Sequence, residues 1–134
     1  NNGNLKVKIV ASKIERFQSK EPYLAFSNHI EVYFFNDSVQ LQSTLSAENA
    51  EIDKKTRKMT AFNNVILKSA DSKKLETEEL IWDELENKIY TDKKVKITTG
   101  KEIVEGHGFI SNSDFTEYTI SKIHGIFSFE TKTE

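Results

Sequence analysis

The sequence predicts an all-β domain of antiparallel strands built from repeated units, and three observations carry that reading. First, 13 Ile, 7 Val and 11 Thr give a β-branched excess, joined by nine Phe, four Tyr and one Trp; such side chains suit a pleated surface. Second, apolar and polar residues alternate with a period of two from Ser43 to Thr98. Third, that alternation recurs at fixed offsets along the chain. At 134 residues and 15.4 kDa the length fits one domain, residues 1–134.

The elements follow in order. An opening strand is expected at Leu5 to Ala11. Leu45 and Ala47 begin the clearest alternation, and Met59 and Ala61, Val65 and Leu67, Leu75 and Thr77, then Val95 and Ile97 continue it. Each reads as a strand with one apolar face. Between them lie Asp53 to Lys58, Ala70 to Lys74 and Asp83 to Lys88, polar clusters that predict hairpin tips made from Asp, Asn and Lys, since the chain has only five Gly and one Pro. Helix formers in Leu75 to Lys88 raise a helical alternative, but their spacing gives no clean stripe.

A shift of 30 residues lays Leu45, Glu48, Asp53, Lys58 and Val65 on Leu75, Glu78, Asp83, Lys88 and Val95. The apolar face is copied as well, Ile52 onto Trp82, Met59 onto Ile89 and Leu67 onto Ile97. The three-residue steps from Ala47 to Ala50 and from Thr77 to Leu80 flip the inward parity, which predicts a bulge or corner at both places. A shift of 36 pairs Ala11 with Ala47, Phe26 with Phe62, Asn28 with Asn64 and Ile30 with Ile66, so the first segment reads as a longer copy. One copy alone could not bury its apolar face, so the copies are expected to stack into one lining.

Composition narrows the function. The net charge of −2 supplies no overall drive towards nucleic acid or an anionic membrane. Without cysteine there is no disulfide framework, thiolate nucleophile or Cys-ligated zinc. No apolar run could span a bilayer as a helix. His29, His107 and His124 lack metal-ligand spacing, and the glycines flanking His107 read as a bulge or a close backbone approach, so neither metal nor cofactor is expected. Glu76 and Glu78 share an outward strand face and read as a solvated surface rather than an acid–base pair. The basic pairs at turns, such as Lys54-Lys55, Arg57-Lys58 and Lys73-Lys74, are expected to solvate those turns, or to meet phosphates by charge-assisted contacts. At 37% hydrophobic residues, a thin or open interior is expected.

Leu75-Glu76-Thr77-Glu78-Glu79-Leu80-Ile81-Trp82-Asp83, Lys88-Ile89-Tyr90-Thr91-Asp92, Gly106-His107-Gly108-Phe109-Ile110-Ser111-Asn112, Tyr118-Thr119-Ile120 and Gly125-Ile126-Phe127, in this order, resemble the LptC family of lipopolysaccharide-export proteins, in its Bacteroidetes form. Lys8-Ile9-Val10-Ala11 and Ala61-Phe62-Asn63-Asn64-Val65 extend the resemblance from Val7 to Phe127. It implies an antiparallel β-jelly-roll folded like a taco, with an open apolar groove. It also implies a non-enzymatic lipid carrier on the periplasmic face of the inner membrane of a Gram-negative bacterium. Such a protein would receive lipopolysaccharide from the inner-membrane ABC transporter and hand it to the periplasmic bridge protein. Beginning at Asn1 rather than Met, the chain is expected to have its membrane anchor or signal outside this sequence.

Acyl chains need apolar surface, each buried CH₂ contributing roughly 0.8 kcal/mol. Leu45, Ile52, Met59, Val65, Leu67, Leu75, Trp82, Ile89, Val95, Ile97, Phe109, Tyr118 and Ile120 are expected to face inward, as lipid contacts or as plain core. Exposed strand edges recruit other strands. The resemblance implies that the N-terminal edge, Leu5 to Ala11, pairs with the transporter and the C-terminal edge, Tyr118 to Phe129, with the bridge protein. Two alternatives stay open: a structural β-repeat scaffold or adhesin, and the soluble bridge protein of the same fold.

Overall fold

The computed structural model describes residues 6–18 and 24–129. The chain forms β1 (Lys6–Arg16), β2 (Leu24–Phe35), β3 (Leu41–Ala47), β4 (Asn49–Asp53), β5 (Lys58–Ser69), β6 (Lys74–Asp83), β7 (Lys88–Thr98), β8 (Glu102–Asn112), β9 (Tyr118–Ile120) and β10 (Gly125–Ser128), with no helix among the described residues. All pair antiparallel in the order β1-β2-β3-β5-β6-β7-β8-β10, while β4 joins β2 to β5 and β9 pairs with β8. Thus β3 and β4 are one strand interrupted at Glu48, and β9 and β10 one strand interrupted at Ser121 to His124. The edges fall at the two termini, as expected. Leu5 itself lies outside the described residues, and β1 continues beyond Ala11 to Arg16.

Every strand bends along one line across the sheet. Register breaks on this line fall at Ala11/Lys13, Phe62/Val65, Thr77/Ile81 and Thr91/Lys94, and a further one at Phe34/Phe35 lies near the β2–β3 turn. Where the backbone turns over, Asn28, His29, Asn63 and Asn64 take φ of 61°, 83°, 73° and 55°, a left-handed region in which Asn is enriched. The interruption at Glu48 belongs to the same line: His29 N–H donates to Glu48 O at 3.0 Å, and Glu48 N–H to Asn63 O at 3.0 Å. In β8, Gly106 and Gly108 make the crossing. A Cβ on Gly106 would stand 2.7 Å from the Ser121 carbonyl oxygen, and Gly108 has φ +96°. The glycines therefore serve backbone approach, as the sequence predicts. The corners expected at 47–50 and 77–80 lie on this crease.

The crease divides the sheet into two leaves, one containing β4 and the other β3. They fold onto each other, because contacts join strands that are not sheet neighbours. Phe34 of β2 meets Trp82 of β6 edge-on, ring centroids 5.2 Å apart. The inward faces become one core in which Leu45, Leu67, Leu75, Leu80 and Ile89 are fully buried.

The 30-residue correspondence holds for the inward face, and it extends to the turns. Arg57 and Asn87 occupy equivalent left-handed positions, φ 58° and 55°, and Asp53 and Asp83 accept backbone N–H bonds at the head of each turn. The 36-residue correspondence needs correction. It holds from β1 to β3 and β4, but from β2 to β5 the offset is 35. Phe26, Ile30 and Val32 are buried as Ala61, Val65 and Leu67 are, whereas Phe62 and Ile66 face outward. The connection before β2 is one residue longer, and a one-residue slip moves every side chain to the other face.

A second turn type places Val39, Ser72 and Phe115 at left-handed φ. Val39 is β-branched, 61% exposed, and its N–H closes the turn onto Asn36 O at 2.9 Å. Val39→Asn keeps that bond and relieves a conformation that costs a branched residue roughly 1–2 kcal/mol. Its melting temperature should rise by a few degrees, measured by circular dichroism; a fall would refute the strain.

Candidate functional site

Strand pairing arranges the inward side chains into rows that cross the sheet. On the β3 leaf, Ile9, Val32, Leu45, Leu67, Leu75, Ile97, Val104 and Ile126 pair in succession from β1 to β10. On the β4 leaf, Leu24, Ile52, Met59, Trp82, Ile89, Ser111 and Tyr118 do the same from β2 to β9. Every member of the first row is apolar, whereas the second includes Ser111 and ends on Tyr118. Mid-row residues are covered by the facing leaf. The rows emerge at the sides of the fold: Ile9, Leu24 and Ile52 are half-buried at one side and Tyr118 at the other, with Ile120 beside it, while Ile126 is 58% exposed.

Near the β4–β5 and β6–β7 tips the interior opens into a cavity of about 380 Å³. Ile52, Met59 and Trp82 provide its apolar surface, and Lys54, Arg57, Lys58, Asp53 and Glu84 its rim. Arg57 pairs with Glu84 at 3.0 Å and Lys58 lies 3.9 Å from Asp83, so the rim's charge is partly compensated. The Tyr90 hydroxyl raises the pKa of Lys58, whose ammonium stands 5.7 Å from the centre of the Tyr90 ring.

Elsewhere the leaves are clasped. The β8–β9 connection carries Phe115 into the core, where it packs against Phe109 and Tyr118 at 5.7 and 5.4 Å. The Ser43 hydroxyl of the opposite leaf donates to Ser113 O at 2.7 Å in a buried setting. The Lys73 ammonium stands 5.4 Å from the Phe115 ring centre and is held by Asp71 at 2.9 Å. The Ser69 hydroxyl, then Lys73, lower the Asp71 pKa below its ordinary 3.8. Because the folded value is depressed, this anchoring is complete above that pH and lost as pH falls through the folded value.

Over residues 1–125 the chain matches the family model described as Lipopolysaccharide-assembly, LptC-related. The protein belongs to the LptC-related family. Its fold is also similar to that in the crystal structure of LptH, the LptA-homologous periplasmic component of the lipopolysaccharide transport device of Pseudomonas aeruginosa. That match has a TM-score of 0.65 at 10% identity and covers 95% of this chain and 96% of that one. At such identity the likeness shows the fold, an LptA-like β-jelly-roll. No curated protein sequence matches.

In this LptC-related protein all thirteen residues expected to face inward do so: ten are buried, and Ile52, Tyr118 and Ile120 are half-buried against the core. The apolar faces of the two leaves are packed together and come to the surface at the sides and in the tip cavity. Phe34, Leu80, Val104 and Phe115 are buried with them, although the thirteen do not include them. Leu80 and Val104 continue visible alternations and Phe34 is in phase with Val32, but Phe115 sits in a turn, where periodicity says nothing. The histidines, separate in sequence, are partly brought together: the His107 and His124 rings are 5.4 Å apart across β8 and the β9–β10 connection. No group of three metal-ligating side chains forms among the described residues.

Proposed function

We propose that this LptC-related protein is a periplasmic lipid carrier of lipopolysaccharide export, with acyl chains running between its leaves. The observation that supports this most directly is the uninterrupted apolar row from Ile9 to Ile126, spanning the sheet and surfacing near both edges. A closed sandwich needs no such continuation beyond its core. The thirteen inward residues, Leu45 to Ile120, are the proposed lipid contacts. In this reading β1 pairs with the inner-membrane ABC transporter, which delivers lipopolysaccharide. The edge formed by β9 and β10 pairs with the bridge protein, which removes it. The chain performs no chemistry of its own, and ATP hydrolysis in another subunit drives transfer. An anchor outside this chain would hold it at the periplasmic face of the inner membrane.

The test is photocrosslinking in cells that make lipopolysaccharide, with the reactive residue at position 82, 95 or 109. Adducts are expected from these inward positions and none from the outward controls Glu78 and Lys96. Folded protein that captures lipid at no inward position would overturn the carrier reading.

A further inference from the structure

The indole Nε1–H of Trp82 is a buried side-chain donor with no hydrogen-bond partner among the described residues. An orphaned donor of this kind carries the full desolvation penalty of its group, and buried Trp ordinarily finds an acceptor. Trp82 is 9% exposed and lines the tip cavity. Its aromatic neighbour Phe34, at 5.2 Å and 80°, offers at most the weak acceptor of a ring face. A Phe at position 82 would give comparable apolar cover without the orphaned group.

We propose that Trp82 is the polar fixing point of the lipid track, its indole N–H donating to the carbonyl oxygen of an acyl ester or amide whose hydrocarbon chain lies on Ile52 and Met59. This rests on the carrier reading and adds to it the residue and the lipid atom that meet. Three features favour a carbonyl over a phosphate. The donor is neutral and buried, where bringing in an anion carries a large desolvation cost. The cations Arg57 and Lys58 on the rim already face Glu84 and Asp83. The surface beside the indole is apolar: Met59 pairs directly with Trp82 in the sheet and Ile52 with Met59. Met59 is unbranched and adaptable, so it can give way to an incoming chain.

The chain has one Trp, so a nitrogen-15 correlation spectrum of the whole protein shows a single indole N–H signal. The probes are a monoacyl glycerophosphocholine with an ester-linked 14-carbon chain and its ether-linked analogue, both below micelle-forming concentration. They share phosphate and chain and differ in the carbonyl. The expected result is a downfield indole proton shift with the ester only. In addition, Trp82→Phe should weaken the ester about 2- to 10-fold more than the ether, the span of one neutral hydrogen bond. Equal shifts with both lipids would assign the acceptor to the head group and overturn the carbonyl assignment. Binding of both with no shift in either, or with equal losses in Trp82→Phe, would overturn the role of the indole and leave the carrier reading standing. If neither lipid binds folded protein, both readings fall.

Discussion

A covalent bridge between Ser43→Cys and Ser113→Cys will hold the leaves together and lower lipid loading by about tenfold or more, equivalent to adding at least about 1.4 kcal/mol to the cost of opening. Leu45, Leu67, Leu75 and Ile97 are at most 1% exposed, so the mid-row lining offers no surface to an acyl chain until the leaves separate. Where the β8–β9 connection crosses to the β3 leaf, the Ser43 hydroxyl donates to the backbone carbonyl oxygen of Ser113 at 2.7 Å, so the two positions are neighbours across the leaves. The protein has no other cysteine to compete for the bridge. With a reducible short bis-thiol linker, loading should fall on bridging and return on reduction, read as lipid adducts at position 95. Unchanged loading in the bridged protein would mean that lipid slides in from the sides without opening, and the clasp would have no part in transport.

Phe115→Ala will carry the largest loss of stability, about 3–5 kcal/mol for a fully buried Phe. Its ring fills the core beside Phe109 and Tyr118 although it belongs to a turn, and it holds φ at 63°, a region unfavourable to bulky residues. Ala remains in that conformation, so truncation removes packing without relieving the backbone. The melting temperature should fall by roughly 10–20 °C, and an apolar dye should bind the folded variant more strongly as the seam loosens. A loss below about 1 kcal/mol would show that the core closes without Phe115, well under the range for such a truncation.

Much of the fold is legible in the residue pattern. The period of two from Leu45 to Ile97 dictates which side chains share a face, since strand geometry alone imposes that alternation. The 30-residue copy locates both hairpin tips at Asp53 and Asp83 and both corners at 48 and 78. The repeat misleads where identity is counted instead of face. Ala25 aligns with Ala61 at an offset of 36, yet the buried partner of Ala61 in the earlier copy is Phe26, because the connection before β2 holds one more residue. Phe115 is hidden for a different reason, as a turn residue's direction depends on what lies across the fold.

The strands, their inward faces, the charged tips and the family are thus determined within the amino-acid chain itself, because all of them are local or repeated along it. Tertiary structure decides what those faces meet. Whether Trp82 packs on Phe34, whether Ser43 reaches Ser113, and whether the row from Ile9 to Ile126 runs unbroken depend on register and on the angle at the crease. Both are set by contacts between residues far apart in the chain, which leave no periodic trace in the sequence.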